Sequence, residues 1–156
     1  ETRGTLTERF SYCFEGKGGY PPILDLQDEL VPLELVKISG AGGGIEFLPL
    51  DMEHGRIRCL GFRIGNLAYC NDVNGLPEET LEALKGSDTL IIDALRYAPH
   101  PSHANLDQAL EWIADISPRL AVLTNMHVDM DYQTLCKELP TGVIPGHDGL
   151  RLDFIK

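Results

Sequence analysis

The sequence predicts an α/β layered fold (α+β in its order along the chain), and three patterns carry that reading. Short alternating apolar runs follow one another through the first half, strand and helix patterns alternate in the second, and polar titratable residues collect where apolar runs stop. Taken in order, residues 1–9 are mostly polar, and Phe10 to Phe14 alternates weakly, as a short strand would. Gly16, Gly18, Gly19, Pro21 and Pro22 then make a loop. Residues 35–38 read as a strand. The glycines 42–44 read as a hairpin-like turn and not a phosphate loop, because no Lys-Ser/Thr follows and no helix opens from them. Strands follow over 45–50, 57–64 and 67–70, the last two joined by a Gly65-Asn66 turn.

From Pro77 the period changes. Residues 77–84 have proline in the first turn, early acids and Gly86 at the end, so they predict a helix. Residues 89–92 are a β-branched run stopped by Asp93, as expected of a strand covered on both faces. Leu106, Ala109, Leu110, Ile113 and Ala114 fall at helical spacing and predict an amphipathic helix over 105–116. A buried strand over 119–124, a short helix over 131–139 and closing strands at 143–144 and 150–154 complete an antiparallel meander followed by β-α-β-α-β.

At 156 residues the chain is long enough for one core, and residues 1–156 read as a single domain. Hydrophobic residues make up 43% and charged residues 24%, as in ordinary globular chains. The net charge of −11 disfavours long nucleic acid, since phosphate backbones are repelled unless bound cations reverse the field locally. No basic patch for a membrane surface, no run long enough to cross a bilayer and no signal-peptide pattern is present in the sequence, and a cytoplasmic location is expected. The four cysteines are far apart, have no CxxC spacing and sit among apolar neighbours, so they read as reduced core residues.

Chemistry is expected at the strand ends. His54, Asp72, the stretch from Asp93 to His103, and Asn125 to His127 all lie at or just past the end of an apolar run. Strands packed side by side would bring those ends to one rim, where imidazole and carboxylate together suit zinc, manganese or iron. The plain alternative for each residue alone is a turn-forming Asp or a solvated His. No cysteine pair stands at ligand spacing, and no GxSxG elbow precedes a helix, so cysteine-metal and Ser-His-Asp chemistry fare worse.

Several stretches also resemble metallo-β-lactamase-fold hydrolases, in the branch of the phosphonate-utilisation phosphodiesterase and, more distantly, ribonuclease Z. They are His54-Gly55 before GFRIG, YCNDVNGLP around Asp72, LIIDALRYAPHPSHANLDQAL, LTNMHVDMDY and LPTGVIPGHDGLRL. The resemblance spans about residues 54 to 152. It implies the αββα sandwich and a hydrolase with two divalent metal ions, zinc or manganese foremost, in which a metal-held water attacks a small-molecule or nucleotide phosphodiester. By the same resemblance His54 is a ligand of one metal, Asp72 bridges both, and His103 beside the leaving group is the catalytic general acid or stabiliser. Asp93 supports the metal site without ligating it. The family's last ligand is a His directly after Leu-Thr. Here that place holds Asn125, and the ligand role passes to His127, which would point the same way if the backbone stays extended. His147 and His100 read as a solvated loop residue and a structural one.

The family signature His-x-His-x-Asp-His, which supplies about half the ligands, is absent from the sequence. The chain starts at Glu1-Thr2-Arg3, so it is expected to be the C-terminal portion of a longer protein whose N-terminal half is its principal partner. Alone it is expected to bind metal weakly and to show little activity. The competing readings are a non-catalytic fragment or ligand-binding domain of the same fold and, less favoured, a zinc-stabilised structural domain. Oligomeric state is not fixed by the sequence, and a homo-oligomer stays open.

Overall fold

The computed structural model describes residues 2–153. The chain divides into two compact units, Glu1–Val31 and Pro32–Lys156. In the first, α1 (Thr2–Arg9) is followed directly by α2 (Ser11–Glu15). The strand expected over Phe10 to Phe14 is therefore a helical turn. An alternation this short does not distinguish a strand from a helix turn, and here Gly16 N–H bonds to Tyr12 O and Cys13 O takes the N–H groups of Ile23 and Leu24. Gly16 stops the helix at φ +72, where a Cβ would lie 2.5 Å from Tyr20 O, so only glycine fits that turn.

The second unit is built on a seven-stranded sheet whose spatial order follows the chain, β1 to β7. β1 (Val36–Gly40), β2 (Gly43–His54), β3 (Ile57–Ile64) and β4 (Leu67–Cys70) form the antiparallel meander. β5 (Thr89–Asp93), β6 (Leu120–Thr124) and β7 (Val143–Pro145) then add in parallel to β4. The crossovers carry α3 (Glu78–Leu84), α4 (Leu106–Ile116) and α5 (Tyr132–Glu138). The meander, the Gly-rich hairpin, the three helices and the parallel strands are those the sequence periods predict. The closing strand over 150–154 is not: residues 150–153 form no strand, and Phe154 lies outside the described residues.

Pleating separates two faces. Arg63, Ala68, Leu90, Ala121 and Val143 stand in register on one. Leu84, Leu106, Ala109, Ile113, Ile116 and Leu135 of the helices join Ala68, Leu90, Ala121 and Val143 in a single core. The other face carries the row Phe62, Tyr69, Ile91, Val122 and Ile144, none of which belongs to that core. Val122 is covered, but Tyr69 is 43% exposed. An apolar row across five strands is what a sheet buried on both sides presents.

Helix ends are set by side chains. Asn105 caps α4 by accepting from Gln108 N–H at 2.9 Å, and Ser117 closes the helix in the left-handed region. Asp131 caps α5, accepting from the Thr134 hydroxyl at 2.7 Å and from Thr134 N–H at 2.8 Å, and these bonds, the hydroxyl's first, hold the Asp131 carboxyl below its usual range. All four cysteines are free, but only Cys70 is buried; Cys13 and Cys59 are half-buried and Cys136 is exposed, so the reading of all four as core residues is corrected. Helix α5 turns Cys136 outward, one position after the core residue Leu135. Burial pushes the Cys70 thiol up to about 12. Among the described residues no helix is long and apolar enough to cross a membrane.

Two outcomes test this account. Removing the cap with Asn105→Ala should cost about 1 kcal/mol, read as a lower urea midpoint at unchanged m. Asp88 is gripped by Arg119 through two bonds of 2.9 Å, and this partner holds its carboxyl below the ordinary 3.8. A depressed carboxyl stabilises the fold above its unfolded value and loses that contribution as pH falls through the folded one. The stability gap between the wild type and Asp88→Asn should therefore be constant above pH 3.8 and close below it.

Candidate functional site

β2 and β4 are both antiparallel to β3, so β2 runs in the same direction as the parallel strands. The carboxyl ends of β2, β4, β5 and β6 consequently share one rim, where open α/β sheets keep their ligands. His54 ends β2 and Asp93 ends β5. Asp72 and Asn125 follow β4 and β6, each with a left-handed backbone, φ 55 and φ 61. Short polar side chains tolerate that conformation, and it turns the chain sharply off the strand.

Asp93 is fully buried. Its Oδ2 accepts from Val73 N–H at 3.2 Å and pairs with His103 Nδ1 at 2.7 Å. An oxygen already accepting an amide proton takes the imidazole proton as well, so His103 donates from Nδ1 and keeps its lone pair on Nε2. Burial pushes the Asp93 carboxyl up, and the bonds from His103, Val73 and Asn125 oppose that push.

His54 is fixed in the same sense. Its Nδ1 lies 2.7 Å from Ser102 O, and a carbonyl can only accept, so Nε2 again carries the lone pair. The rings of His54 and His103 pack edge to face with centroids 4.7 Å apart. Asn74 clamps the two loops together: its Oδ1 accepts from Gly55 N–H at 2.8 Å and its Nδ2 donates to Pro101 O at 2.9 Å. Cys59 donates from Sγ to Asp72 O at 3.1 Å beneath the turn. Its thiol is pushed up first by burial and then by the Asp72 charge.

Asp72, Asp93 and His103 each offer a ligand-capable atom, and these atoms lie within 4.8 Å of one another. The Asn125 amide reaches all three residues: Nδ2 is 3.4 Å from Asp72 Oδ1, 3.3 Å from Asp93 Oδ1 and 3.2 Å from His103 Nδ1. Of the residues the sequence singles out, His54, Asp72, Asp93, His103 and Asn125 are thus brought together. His127 is not among them. The extended backbone on which its direction depended is broken by the left-handed Asn125, and its Nδ1 pairs instead with Asp129 Oδ1 at 2.7 Å. His147 lies against Tyr132 in an edge-to-face contact at 5.8 Å. His100 accepts from Ser102 N–H and packs on His103; desolvation, then the Arg96 charge, lowers its pKa. The clamp residue Asn74 and the Ser102 carbonyl escaped sequence reasoning. The only signal for Asn74 was its place two residues past Asp72, in a loop resembling any Asn-Gly turn.

The comparisons with known proteins bear directly on this rim. Residues 1–126 match the profile of the beta-lactamase superfamily domain. The chain belongs to that family. Among solved structures it is similar to a diphosphatase of the PhnP family, with TM-score 0.81 and 29% identity over 99% of this chain and 56% of that one. The metallo-beta-lactamase fold protein YhfI from Bacillus subtilis matches with TM-score 0.57 at 16% identity, over 74% of this chain and 51% of that one. Human tRNase Z, short form, matches with TM-score 0.52 at 16% identity, over 68% and 40%. These last two establish the metallo-β-lactamase fold alone. An octanoyltransferase of Porphyromonas gingivalis (strain ATCC BAA-308 / W83) is 32% identical over 152 residues, 94% of this chain and 29% of that protein. The chain thus spans about half of the diphosphatase and under a third of the octanoyltransferase.

Enzymes of this fold usually bind divalent metals, and the donors present can be judged for that purpose. An imidazole ligand typically donates its second ring N–H to a carbonyl or carboxylate, and His54 and His103 both do. His54, with Nε2 outside its bond to Ser102, and Asp72, with a half-exposed carboxylate, are each donor types that a divalent cation takes.

Gly55 is one position at which a substitution would disturb this geometry. At φ +64, a Cβ there would lie 3.0 Å from Ser102 Cβ. Gly55→Ala should cost about 1–2 kcal/mol from the left-handed backbone alone. It should also loosen the His54–Ser102 bond, seen as a shift of the His54 ring nitrogens in 15N spectra; an unmoved spectrum would count against the clamp.

Proposed function

We propose that this chain contributes one side of the active site of a metal-dependent hydrolase that cleaves a phosphodiester of a small molecule or nucleotide. The observation that carries the reading is the Asp93–His103 pair set beside Asp72 and His54 at one rim. The likeness to a PhnP-family diphosphatase supports hydrolysis at phosphorus, and the negative net charge favours a small anionic substrate brought in through bound cations over a long polyanion.

His54 and Asp72 would hold a divalent ion, zinc or manganese, and when bound that ion supplies Lewis acidity and a water-derived nucleophile at neutral pH. The remaining work belongs to this chain's side chains. Asp93 holds His103 through Nδ1 and fixes its orientation, so that Nε2, once it has taken up a proton from solvent, can pass that proton to the departing oxygen. The Asn74 clamp holds the His54 and His103 loops at constant separation, which keeps acid and substrate in register.

Two further elements belong to the proposal. The open row from Phe62 to Ile144 is where the other half of the sandwich would pack, as expected if residues 1–156 are the C-terminal part of a longer chain. A cytoplasmic setting accords with four unpaired thiols. One observation favours the second reading, a binding domain without a complete site: the residue after β6 is an amide and not an imidazole.

The test uses the whole protein with a chromogenic aryl phosphodiester. Turnover should require added Mn2+ or Zn2+ and disappear on chelation; no metal-dependent hydrolysis would leave the binding-domain reading standing. His103→Ala should lower kcat by about 10²–10⁴-fold with metal content nearly unchanged. Loss of metal from that variant would instead make His103 a ligand.

A further inference from the structure

Asn125 Nδ2 lies between the two carboxylates of the rim, 3.4 Å from Asp72 Oδ1 and 3.3 Å from Asp93 Oδ1. An amide nitrogen carries two hydrogens and no lone pair for coordination, and here two carboxylate oxygens face it. His103 Nδ1, at 3.2 Å, is no further acceptor, because its own proton is directed at Asp93. We propose that the Asn125 amide takes the place of one of two cations, so that this corner of the site supports a single divalent ion. The inference rests on the metal-dependent reading above and narrows it.

The exclusion is steric and electronic. Zinc sits about 2.0–2.2 Å from its oxygen ligands and needs a lone pair from each. A cation placed between Asp72 Oδ1 and Asp93 Oδ1 would occupy the position of the NH2 group and meet hydrogens there. The amide also does part of a cation's structural work, since its dipole separates two carboxylates that would otherwise face one another. It does so without a positive charge, and so leaves the second oxygen of the half-exposed Asp72 carboxylate for a single ion. Asp72 then joins one cation to one amide, where the resemblance implied a bridge between two cations. The left-handed backbone at both Asp72 and Asn125 turns the chain off the ends of β4 and β6, the two strands that flank β5.

The experiment is metal counting on the whole protein, loaded with Mn2+, dialysed and measured by elemental analysis, with electron paramagnetic resonance to detect spin coupling between neighbouring Mn2+ ions. The wild type should hold one fewer equivalent than Asn125→His, and only the variant should give the coupled signal. Asn125→Ala, which removes the amide without adding a ligand, should hold at least the wild-type count; its thermal midpoint shows whether it is folded. A coupled pair in the wild type, no gain in a folded Asn125→His, or a tenfold loss of affinity in a folded Asn125→Ala would each overturn the inference, the last by making the amide oxygen a ligand. A wild type that binds no Mn2+ beside an Asn125→His that binds one would defeat the metal-dependent hydrolase and keep the amide in its place. If neither binds, both fall.

Discussion

Asp93 is a carboxylate with no exposed surface, and such a group is tolerated only where donors surround it. Its donors come from separate parts of the chain: Val73 after β4, His103 before α4 and Asn125 after β6. None can be withdrawn without leaving a buried acceptor short, so the three loops are held in a common register by one side chain. Backbone bonds follow the same lines. Ala104 N–H reaches Val73 O, Leu95 N–H reaches Ala104 O, and His127 N–H reaches Leu95 O. The rim is thus a stitched surface and not a set of independent loops, which suits a site whose groups must keep fixed separations.

The parallel strands make this possible. β4, β5 and β6 are in strict register, Cys70 against Ile92 and Ile92 against Leu123, so their last residues emerge side by side. β2 reaches the same rim by length: at twelve residues it extends past β1 and stays paired with β3 to its last residue, which delivers His54 beside the 100–103 loop. Gly75 makes room for that extension, since the end of β2 pairs with it through Glu53 and a Cβ there would press on the Glu53 side chain.

Most of this architecture was legible because buried strands and amphipathic helices leave periods in the sequence. Residues 57–64 and 105–116 are examples, and the structure differs from their predicted bounds by no more than a residue. Phe10 to Phe14 was too short for its period to decide between a strand and a helical turn. At the rim, Asp72, Asp93 and His103 could be picked out because each interrupts or follows an apolar run. The geometry beyond them depends on backbone signs that composition does not encode. Period-two reasoning would carry His127 to the site, but a single left-handed residue at 125 ends the alternation and sends that ring to Asp129. Asn74 was illegible for a different reason: its role lies in bonds to Gly55 and Pro101, which only the folded chain brings near.

The φ of 61 at position 125 also bears on how such a corner changes over generations. Asn and His are both among the residues enriched in the left-handed region, so neither asks the backbone after β6 to be rebuilt. In the genetic code the two are separated by a substitution at the first base of the codon. A lineage can therefore pass between an amide-filled and an imidazole-lined corner in one mutational step, with the sheet, the clamp and the buried Asp93 unchanged. The side chain at that corner can thus change in a single step, while the scaffold that displays it is held by many bonds at once.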